Sequence, residues 1–370
     1  MKKKILFVQQ NLKGGGAEKV LVDILNNFDY RTYDITLILI ENSGIYANQV
    51  NSNVRVLSLI GENGMRLYGA LKKKHLFSII DIFLSKKLKK ILDTESFDTI
   101  VSFMEGIGAR CHSYIFNRAK RNITWVHIDL ELKNWALSDF RSLEEQKLIY
   151  EKMDEVIFVS DGAKDAFNRL FHTSRNKIIY NLIDVKQIIN KAEDGGVEHS
   201  KFTFCNVGRL AEQKRQDRII EVARIFKEKS VPAEFWLVGT GALEEQYKES
   251  VRQSKLEDYV KFKGFQTNPY KFLNAADVFL LTSDSEGYPL VVCEALCLGK
   301  PIVSTDVTGP HEILNDGSGV LTPKDPKIIA ETLLSLYSNP KMLNDLSIKA
   351  KDKCGIFNIK RTMLEIYSVL

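Results

Sequence analysis

Long apolar runs are missing from this sequence of 370 residues, which argues against a membrane-spanning protein. No run approaches the roughly 18 residues that a membrane-spanning helix needs. The five cysteines have neither the spacing of a metal site nor the density of a disulfide scaffold, and this favours a reducing, cytoplasmic compartment. Asp-x-Asp is also absent, and the nearest approach to it is Asp284-Ser285-Glu286. Since a metal that bridges a diphosphate usually needs paired carboxylates, the sequence predicts a site with no metal and no cofactor.

The excess of basic residues is small, with a net charge of +5. This charge is too weak to indicate a nucleic-acid-binding protein, but it suits an anionic substrate or an anionic membrane surface. The start, Met1-Lys2-Lys3-Lys4, resembles the basic end of a signal peptide. Only four apolar residues follow before Gln9, so we expect a first strand there and not a secretory segment.

Short β-rich runs alternate with helical patterns, which predicts an α/β fold with mainly parallel sheets. Two segments each have the order of a first βα unit of a doubly wound domain, namely a strand, a loop and an amphipathic helix. These are Ile5–Val8 with loop 14–16 and a helix from about 17 to 28, and Phe202–Val207 with loop 208–215 and a helix from about 216 to 229. Further strands are predicted at 35–40, 54–59, 99–103, 124–126, 155–159, 235–238, 260–262, 278–281 and 302–304.

The polar, glycine-bearing stretch between Asn181 and Ser200 predicts the boundary between two domains. We expect an N-terminal domain of residues 1–185 and a second domain of residues 186–355. Two such domains bring the carboxyl ends of two sheets to a shared cleft, and ligand sites are often found at domain interfaces.

The stretch from Thr282 to Pro301 is the most informative part of the sequence. Pro289 fits the first position of a helix and Gly299 its end. This helix is apolar all round except for Glu294, which predicts that it is buried. A buried carboxylate needs a fixed partner or a ligand with hydroxyl donors. Glu286 follows the strand 278–281, and ligands bind at the carboxyl ends of such strands.

Arg209 and Lys214 are two cations in the loop that follows strand Phe202–Val207, a pattern that suits a diphosphate. A solvated loop is the alternative, because two further arginines follow closely. The helix start after Gly287 predicts a second anion site, with the backbone N–H groups of Leu290 and Val291 as the donors, and ordinary helix initiation is the alternative.

Residues of the first domain give less specific indications. Gly14-Gly15-Gly16 lets a backbone approach a ligand, but Lys19 stands where a dinucleotide fingerprint has its third glycine. His127 and Glu105 each follow a predicted strand. The lysines between 72 and 90 bracket the apolar run 76–84 and suggest either a surface for anionic lipid or a solvated helix face.

Together these residues resemble the family 4 retaining glycosyltransferases, which have the GT-B fold of two Rossmann-like, doubly wound domains facing across a cleft. The resemblance covers nearly the whole chain and is strongest from Phe202 to Asp325. It rests on Gly208-Arg209-Leu210 with Lys214, Leu237–Gly241, Val260–Phe265, Ala275–Val278, Ser285–Leu290, Glu294-Ala295, Gly299–Val303, Gly309–Ile313 and Gly319–Leu321.

The resemblance implies a role for individual residues. Arg209 and Lys214 would grip the diphosphate of the donor, Glu294 would bind the ribose hydroxyls, and Phe265 would lie by the base. His127 would contact the transferred sugar, and a C-terminal helix within about 356–370 would pack back on the first domain. The implied donor site comprises Gly15, Gly16, Gly208, Arg209, Lys214, Gly239, Phe265, Glu286, Gly287, Tyr288, Pro289, Leu290, Val291 and Glu294, and the residues implied in catalysis are His127, Glu286, Arg209 and Lys214.

The expected activity is the transfer of a hexosyl or N-acetylhexosaminyl group from a nucleotide-diphosphate sugar, with UDP expected as the nucleotide, to a hydroxyl acceptor. Polysaccharide, lipopolysaccharide or glycolipid assembly is the expected setting, at the inner face of the cell membrane and with no nucleic-acid partner. Two alternatives stay open: a non-catalytic nucleotide-sugar-binding subunit, and an epimerase or phosphorylase of the same fold. The failed dinucleotide fingerprint disfavours a dehydrogenase.

Overall fold

Two compact units make up the chain in this computed structural model, which describes residues 2–132, 134–173 and 175–370. Unit 1 comprises Met1–Leu182 and Ile359–Leu370, and unit 2 comprises Ile183–Asn358. The sequence-based boundary between residues 185 and 186 lies close to the observed one. In each unit an all-parallel sheet is formed by apolar strands that alternate with helices, as the patterning predicts.

Unit 1 has a seven-stranded sheet in the order β3-β2-β1-β4-β5-β6-β7. Its strands are β1 (Lys3–Gln9), β2 (Tyr33–Leu39), β3 (Arg55–Ser58), β4 (Phe97–Ser102), β5 (Ala119–Val126), β6 (Glu155–Phe158) and β7 (Asn176–Ile178). Its helices up to residue 182 are α1 (Gly16–Asn26), α2 (Glu62–Lys73), α3 (Phe77–Leu92), α4 (Ile107–Ser113), α5 (Leu143–Glu151) and α6 (Asp161–Leu170).

Unit 2 has a six-stranded sheet in the order β10-β9-β8-β11-β12-β13. Its strands are β8 (Phe202–Val207), β9 (Ala233–Val238), β10 (Val260–Gly264), β11 (Val278–Leu281), β12 (Ile302–Thr305) and β13 (Val320–Thr322). Its helices are α7 (Val185–Ala192), α8 (Gln216–Glu228), α9 (Glu244–Gln253), α10 (Tyr270–Ala275), α11 (Leu290–Cys297), α12 (Thr308–Leu314), α13 (Pro326–Ser338) and α14 (Pro340–Cys354).

The strand order reverses at the first strand of each sheet. β1 lies between β2 and β4, and β8 lies between β9 and β11. Such a reversal opens a crevice at the carboxyl ends of the strands, which is where doubly wound folds bind ligands. The order therefore places the loops after β1, β4, β8 and β11 at the two expected ligand positions.

The last helix, α15 (Ile359–Val369), belongs to unit 1 although unit 2 precedes it in the chain. The ring of Tyr367 stacks on that of Tyr33 with a centroid distance of 5.0 Å. The hydroxyl of Thr99 in β4 donates a hydrogen bond to the carbonyl of Leu370. These contacts fix the end of the chain against the first sheet.

Some predicted element bounds need correction. Pro289 is the N-cap of α11 and not its first residue, since its ψ of 111° is extended. β5 begins at Ala119, five residues before the predicted start at Thr124, and the short edge strands β7 and β13 were not predicted. Within the described residues no helix is both long and apolar enough to span a membrane.

Candidate active site

Two loops at the reversal point of unit 2 are held side by side. The hydroxyl of Thr282, just after β11, donates to the carbonyls of Lys214 and Arg215, which lie in the loop after β8. The backbone N–H of Asp284 donates to the carbonyl of Gln213 at 2.9 Å. Because each of these bonds ends on a backbone carbonyl of the loop after β8, the two loops form one surface at the carboxyl edge of the sheet.

The side chains of Lys214 and Glu286 meet on this surface. Lys214 Nζ lies 2.6 Å from Glu286 Oε1, and Ser283 Oγ donates to the same oxygen at 2.6 Å. Glu286 is buried, with 8% of its surface exposed, so its charge is balanced mainly by Lys214. The resemblance implies that both residues belong to the donor site, and the structure brings their side chains into direct contact.

Arg209 is exposed, and its guanidinium has no hydrogen-bonding or ionic partner within the part of the chain that the structure describes. Its carbonyl accepts a hydrogen bond from Gln216 Nε2 at 3.0 Å, which fixes the backbone of the loop. The neighbouring cations differ, because Arg215 and Arg218 both pair with Asp284. Arg209 is therefore the arginine of this loop that is available to an anionic ligand.

The glycine turns behind this loop are packed backbone to backbone. Gly239 has a φ of +134°, and a Cβ there would lie 2.1 Å from the carbonyl oxygen of Gly208. The N–H of Gly208 donates to Val238, and the N–H of Gly239 donates to Gly264. At Gly208 itself the nearest atom to an added Cβ is Lys214 Cε at 4.0 Å. Gly239 is thus required for packing, whereas the space above Gly208 is open.

The start of α11 presents two unused backbone donors. Leu290 and Val291 are the first residues of the helix, and their N–H groups donate to no acceptor among the described residues. Gly287, three residues earlier, packs so closely against α12 that a Cβ on Gly309 would lie 2.5 Å from its carbonyl oxygen. Tyr288 is almost fully buried. A helix start with free donors is the anion site that the sequence predicts.

Glu294 lies in the buried helix, as its surroundings in the sequence predict, with 6% of its surface exposed. Tyr270 in α10 donates its hydroxyl to Glu294 Oε1 at 3.0 Å. This contact orients the carboxylate, and no signal in the sequence pointed to Tyr270. Phe265 follows Gly264 at the end of β10 and is half exposed, which leaves its ring accessible to a base.

In unit 1, Gly15 is the N-cap of α1 and Gly16 its first residue, while Gly14 has a φ of +120°. The carboxylate of Glu18 folds back over the turn, because a Cβ on Gly15 would lie 2.0 Å from Glu18 Oε2. A side chain at Gly15 would therefore displace Glu18. The glycine loop is thus a tight helix start at the reversal point of the first sheet.

His127 follows β5 and is buried, with its ring centroid 4.9 Å from that of Phe103. Burial lowers the pKa of His127 to about 4, so the imidazole is neutral at physiological pH. Glu105 after β4 accepts hydrogen bonds from the backbone N–H groups of His127 and Ile128 through Oε1. Burial raises the pKa of Glu105 to about 7 despite these bonds. Glu105 thus holds the turn that carries His127.

Two family models together match most of the chain. The model "Glycosyltransferase Family 4" matches residues 14–187, and the model "Glycosyl transferases group 1" matches residues 187–353. The chain belongs to glycosyltransferase family 4. The junction of the two matches falls at the boundary between units 1 and 2, so each unit of this family 4 glycosyltransferase carries one of the two family modules.

Relatives and solved structures agree with this membership. An uncharacterised glycosyltransferase of Methanocaldococcus jannaschii is 33% identical over 177 residues, and that match spans 45% of this chain and 44% of the relative. The N-acetylgalactosamine-N,N'-diacetylbacillosaminyl-diphospho-undecaprenol 4-alpha-N-acetylgalactosaminyltransferase of Campylobacter jejuni is 25% identical, with 97% and 96% of the two chains covered. The crystal structure of Anabaena HepE with UDP-glucose has a TM-score of 0.76 at 20% identity and covers 99% of this chain and 100% of HepE. The two parallel-sheet, Rossmann-like units of this family 4 glycosyltransferase match the GT-B architecture.

Proposed function

We propose that this glycosyltransferase moves a hexosyl or N-acetylhexosaminyl group from a UDP-sugar to a hydroxyl acceptor, and that the anomeric configuration is retained. The observation that carries the proposal is the arrangement in unit 2 of the exposed Arg209, the Lys214–Glu286 pair and the free N–H groups at the start of α11. Arg209, Lys214 and the two N–H groups are cations or hydrogen-bond donors at one sheet edge, which suits a diphosphate. The resemblance to HepE, whose structure contains UDP-glucose, supports the choice of nucleotide.

Each group of the site has a distinct part in donor binding. Arg209 and Lys214 neutralise the diphosphate, and Lys214 has three donors, so it can hold Glu286 and a phosphate oxygen together. The N–H groups of Leu290 and Val291 add the positive end of a helix. Glu294, oriented by the hydroxyl of Tyr270, accepts hydrogen bonds from the two ribose hydroxyls.

The proposed reaction breaks the bond between the anomeric carbon and the phosphate oxygen and forms one from that carbon to the acceptor oxygen. Negative charge grows on the departing phosphate, where Arg209, Lys214 and the start of α11 stabilise it. The proton of the acceptor hydroxyl passes to the departing phosphate on the same face. This route needs no protein base, and the neutral His127 contributes hydrogen bonding to the sugar.

A donor screen tests the proposal. The purified chain is titrated with UDP, GDP and ADP by calorimetry, and hydrolysis of UDP-glucose, UDP-galactose and their N-acetylhexosamine counterparts is followed without an acceptor. We expect UDP to bind and one UDP-sugar to be hydrolysed. Absence of binding by all three nucleotides would show that the chain is not a transferase of this kind, whereas tight binding without turnover would favour a non-catalytic subunit.

The acceptor is proposed to be a lipid-linked glycan, since the Campylobacter jejuni relative is named for a diphospho-undecaprenol acceptor. Polysaccharide or glycolipid assembly on the cytoplasmic side of the membrane is the setting that this acceptor suggests. The product of one transfer would then be the acceptor of the next enzyme of the same class. Transfer from the identified UDP-sugar to a panel of octyl glycosides measures this preference.

Contact with an anionic membrane is proposed through one face of α3. Ile79 and Ile82 are about half exposed, and Lys86 and Lys90 follow at helical spacing on the same face. Apolar side chains beside lysines suit the surface of anionic lipid. We expect co-sedimentation with phosphatidylglycerol vesicles that is weakened by replacing Ile79 and Ile82 with serine. Equal binding to phosphatidylcholine vesicles, or none to either, would contradict the proposal.

A further inference from the structure

Three buried polar side chains lie at the carboxyl ends of three neighbouring strands in unit 1. Gln9 is the last residue of β1, Glu105 follows β4 and His127 follows β5, and β4 is paired with both other strands. Within the described residues, Gln9 Oε1, Glu105 Oε2 and His127 Nε2 have no hydrogen-bonding partner. We refer to these three residues as the edge trio.

The other polar atoms of the edge trio are used to hold the edge together. Glu105 Oε1 accepts from the N–H groups of His127 and Ile128, and Gln9 Nε2 lies 3.0 Å from the sulfur of Met104. The side chains of Glu105 and Gln9 are therefore each fixed through one end, and the ring of His127 is fixed by a hydrogen bond to the backbone of Phe103, while the other end of each side chain remains unsatisfied. This division is what a preformed recognition site needs, because the side chains are oriented before a ligand arrives.

The unpartnered atoms match the chemistry of hydroxyl groups. Native proteins satisfy most buried polar atoms, so three unsatisfied ones on adjacent strands call for a partner. An amide oxygen and a carboxyl oxygen accept from a hydroxyl, and His127 Nε2 accepts or donates according to its tautomer. Burial lowers the pKa of His127 and raises that of Glu105, and this favours the uncharged forms and hence a neutral ligand.

We propose that the edge trio is a hydroxyl-recognition site for a sugar ring, in which Glu105 and Gln9 bind the sugar together with His127. The proposal rests on the glycosyltransferase function proposed above and adds two binding residues to it. His127 carries most of the small exposure of the edge trio, so the sugar is expected to enter beside its ring. Two sources supply such a ring: the sugar of the donor and a sugar of the acceptor.

Glu105→Gln is the decisive variant. The amide oxygen still accepts from the N–H groups of His127 and Ile128, so the turn is kept, but the second atom becomes an N–H donor. Glu155→Gln is the matched control, because Glu155 lies at the opposite, amino end of β6 in the same sheet and pairs with Arg121. Gln9→Met, which removes Oε1 at similar length, carries the same test if Glu105→Gln does not fold.

The experiment compares the full chain and its variants by calorimetry with UDP and with the UDP-sugar that the wild type prefers, and by hydrolysis and transfer to octyl glycosides. If the donor sugar occupies the site, Glu105→Gln lowers kcat/KM for hydrolysis of the UDP-sugar by about tenfold. It also lowers by about tenfold the factor by which the UDP-sugar binds more tightly than UDP. If the acceptor occupies it, hydrolysis is unchanged and kcat/KM for the octyl glycoside falls by about tenfold. In both cases the Kd for UDP stays within about twofold, and Glu155→Gln behaves as the wild type.

The proposal would be overturned if Glu105→Gln and Gln9→Met both had wild-type kinetics in hydrolysis and in transfer. A change in melting temperature alone would not support it, because residues with a purely structural role, or residues that bind a buried water, affect only the stability of the protein. This result differs from a failure of the proposed function, in which the wild type itself binds no UDP.

Discussion

Lys214 Nζ contacts Glu286 Oε1 at 2.6 Å, although 72 residues separate the two in the chain. The pair joins the loop after β8 to the loop after β11, and Ser283 donates to the same carboxylate oxygen. A bound diphosphate would share Lys214 with Glu286 and thereby draw the negative charge of the ligand towards this buried carboxylate.

Replacing Lys214 with alanine removes a charge-assisted donor from the diphosphate and leaves Glu286 without its cation. We expect UDP affinity to fall roughly tenfold to hundredfold, with a smaller loss of stability. Calorimetry with UDP measures the effect. Lys229→Ala is the control, since Lys229 is an exposed lysine at the end of α8 in the same unit. Equal losses in both variants would mean that Lys214 acts only through net charge.

Glu294 is expected to bind ribose hydroxyls in the orientation set by Tyr270. Glu294→Ala should weaken UDP binding by about a hundredfold and Glu294→Gln by about tenfold, because glutamine keeps one acceptor. Tyr270→Phe removes only the orienting donor, so a loss of a few fold is expected. Binding of uridine, which has the ribose but no phosphate, should fall in parallel; unchanged uridine binding in Glu294→Ala would exclude contact with the ribose.

The two glycines Gly208 and Gly239 should respond oppositely to alanine. A Cβ at Gly239 would clash with the backbone of Gly208 at a φ of +134°, so Gly239→Ala is expected to lose at least about 3 kcal/mol of stability. In Gly208→Ala the added Cβ would contact only Lys214 Cε. The free energy of unfolding should therefore change by less than about 1 kcal/mol, while UDP binding is weakened. Thermal unfolding and calorimetry separate the two effects. A stable Gly239→Ala would contradict the packing described above.

The raised pKa of Glu105 predicts a pH-dependent loss of stability. The pKa of Glu105 in the folded protein, about 7, lies above its ordinary value of 4.5. The contribution of Glu105 to the free energy of unfolding is therefore complete below about pH 4.5 and is lost as the pH rises through 7. His127 and His112, whose pKa values are lowered to about 4, give the opposite slope below pH 6.5. Subtracting the curve of Glu105→Gln from that of the wild type cancels the histidines. Between pH 5 and 8 the wild type should lose on the order of 3 kcal/mol relative to the variant; parallel curves would show that Glu105 is not perturbed.

Transfer or hydrolysis should persist in excess EDTA. Among the described residues, no group of three or more histidine, cysteine, aspartate or glutamate side chains is arranged to hold a metal ion. In the proposed donor site, Arg209, Lys214 and the start of α11 would supply the positive charge that a metal would otherwise provide. The rate with EDTA is compared with the rate in added magnesium or manganese. A rate that disappears with EDTA and returns with one of these ions would contradict this expectation.

The regular pattern of the sequence was enough to predict most of the fold, and the exceptions have physical reasons. β8 and β11 have the predicted bounds because both are mostly buried, β-rich runs, and Gly208 follows β8 while the polar Thr282 follows β11. β7 and β13 are edge strands of three residues, and so short a run has no distinctive periodicity.

The candidate site was predictable only where a residue type carries its own chemistry. Arg209, Lys214, Glu286 and Glu294 stand out because charges beside strands and in apolar helices need an explanation. The sequence does not show which residues these charged side chains contact. The ion pair of Lys214 with Glu286 and the hydrogen bond of Tyr270 to Glu294 depend on the order of the strands in the sheet. Glu105 stood out in the sequence only by its place after a strand and Gln9 did not stand out at all, and only the packing shows that a polar atom of each has no partner.

Unit 1 is discontinuous, since α15 returns to it after the whole of unit 2. On a ribosome, residues 359–370 are made after unit 2, so the stacking of Tyr367 on Tyr33 and the hydrogen bond from Thr99 to Leu370 form only after unit 2 has been synthesised. The contacts of α15 with unit 1 are therefore missing while unit 2 is being made, although all seven strands of the first sheet are already present. Synthesis from the N-terminus thus delays completion of unit 1 until unit 2 has been made.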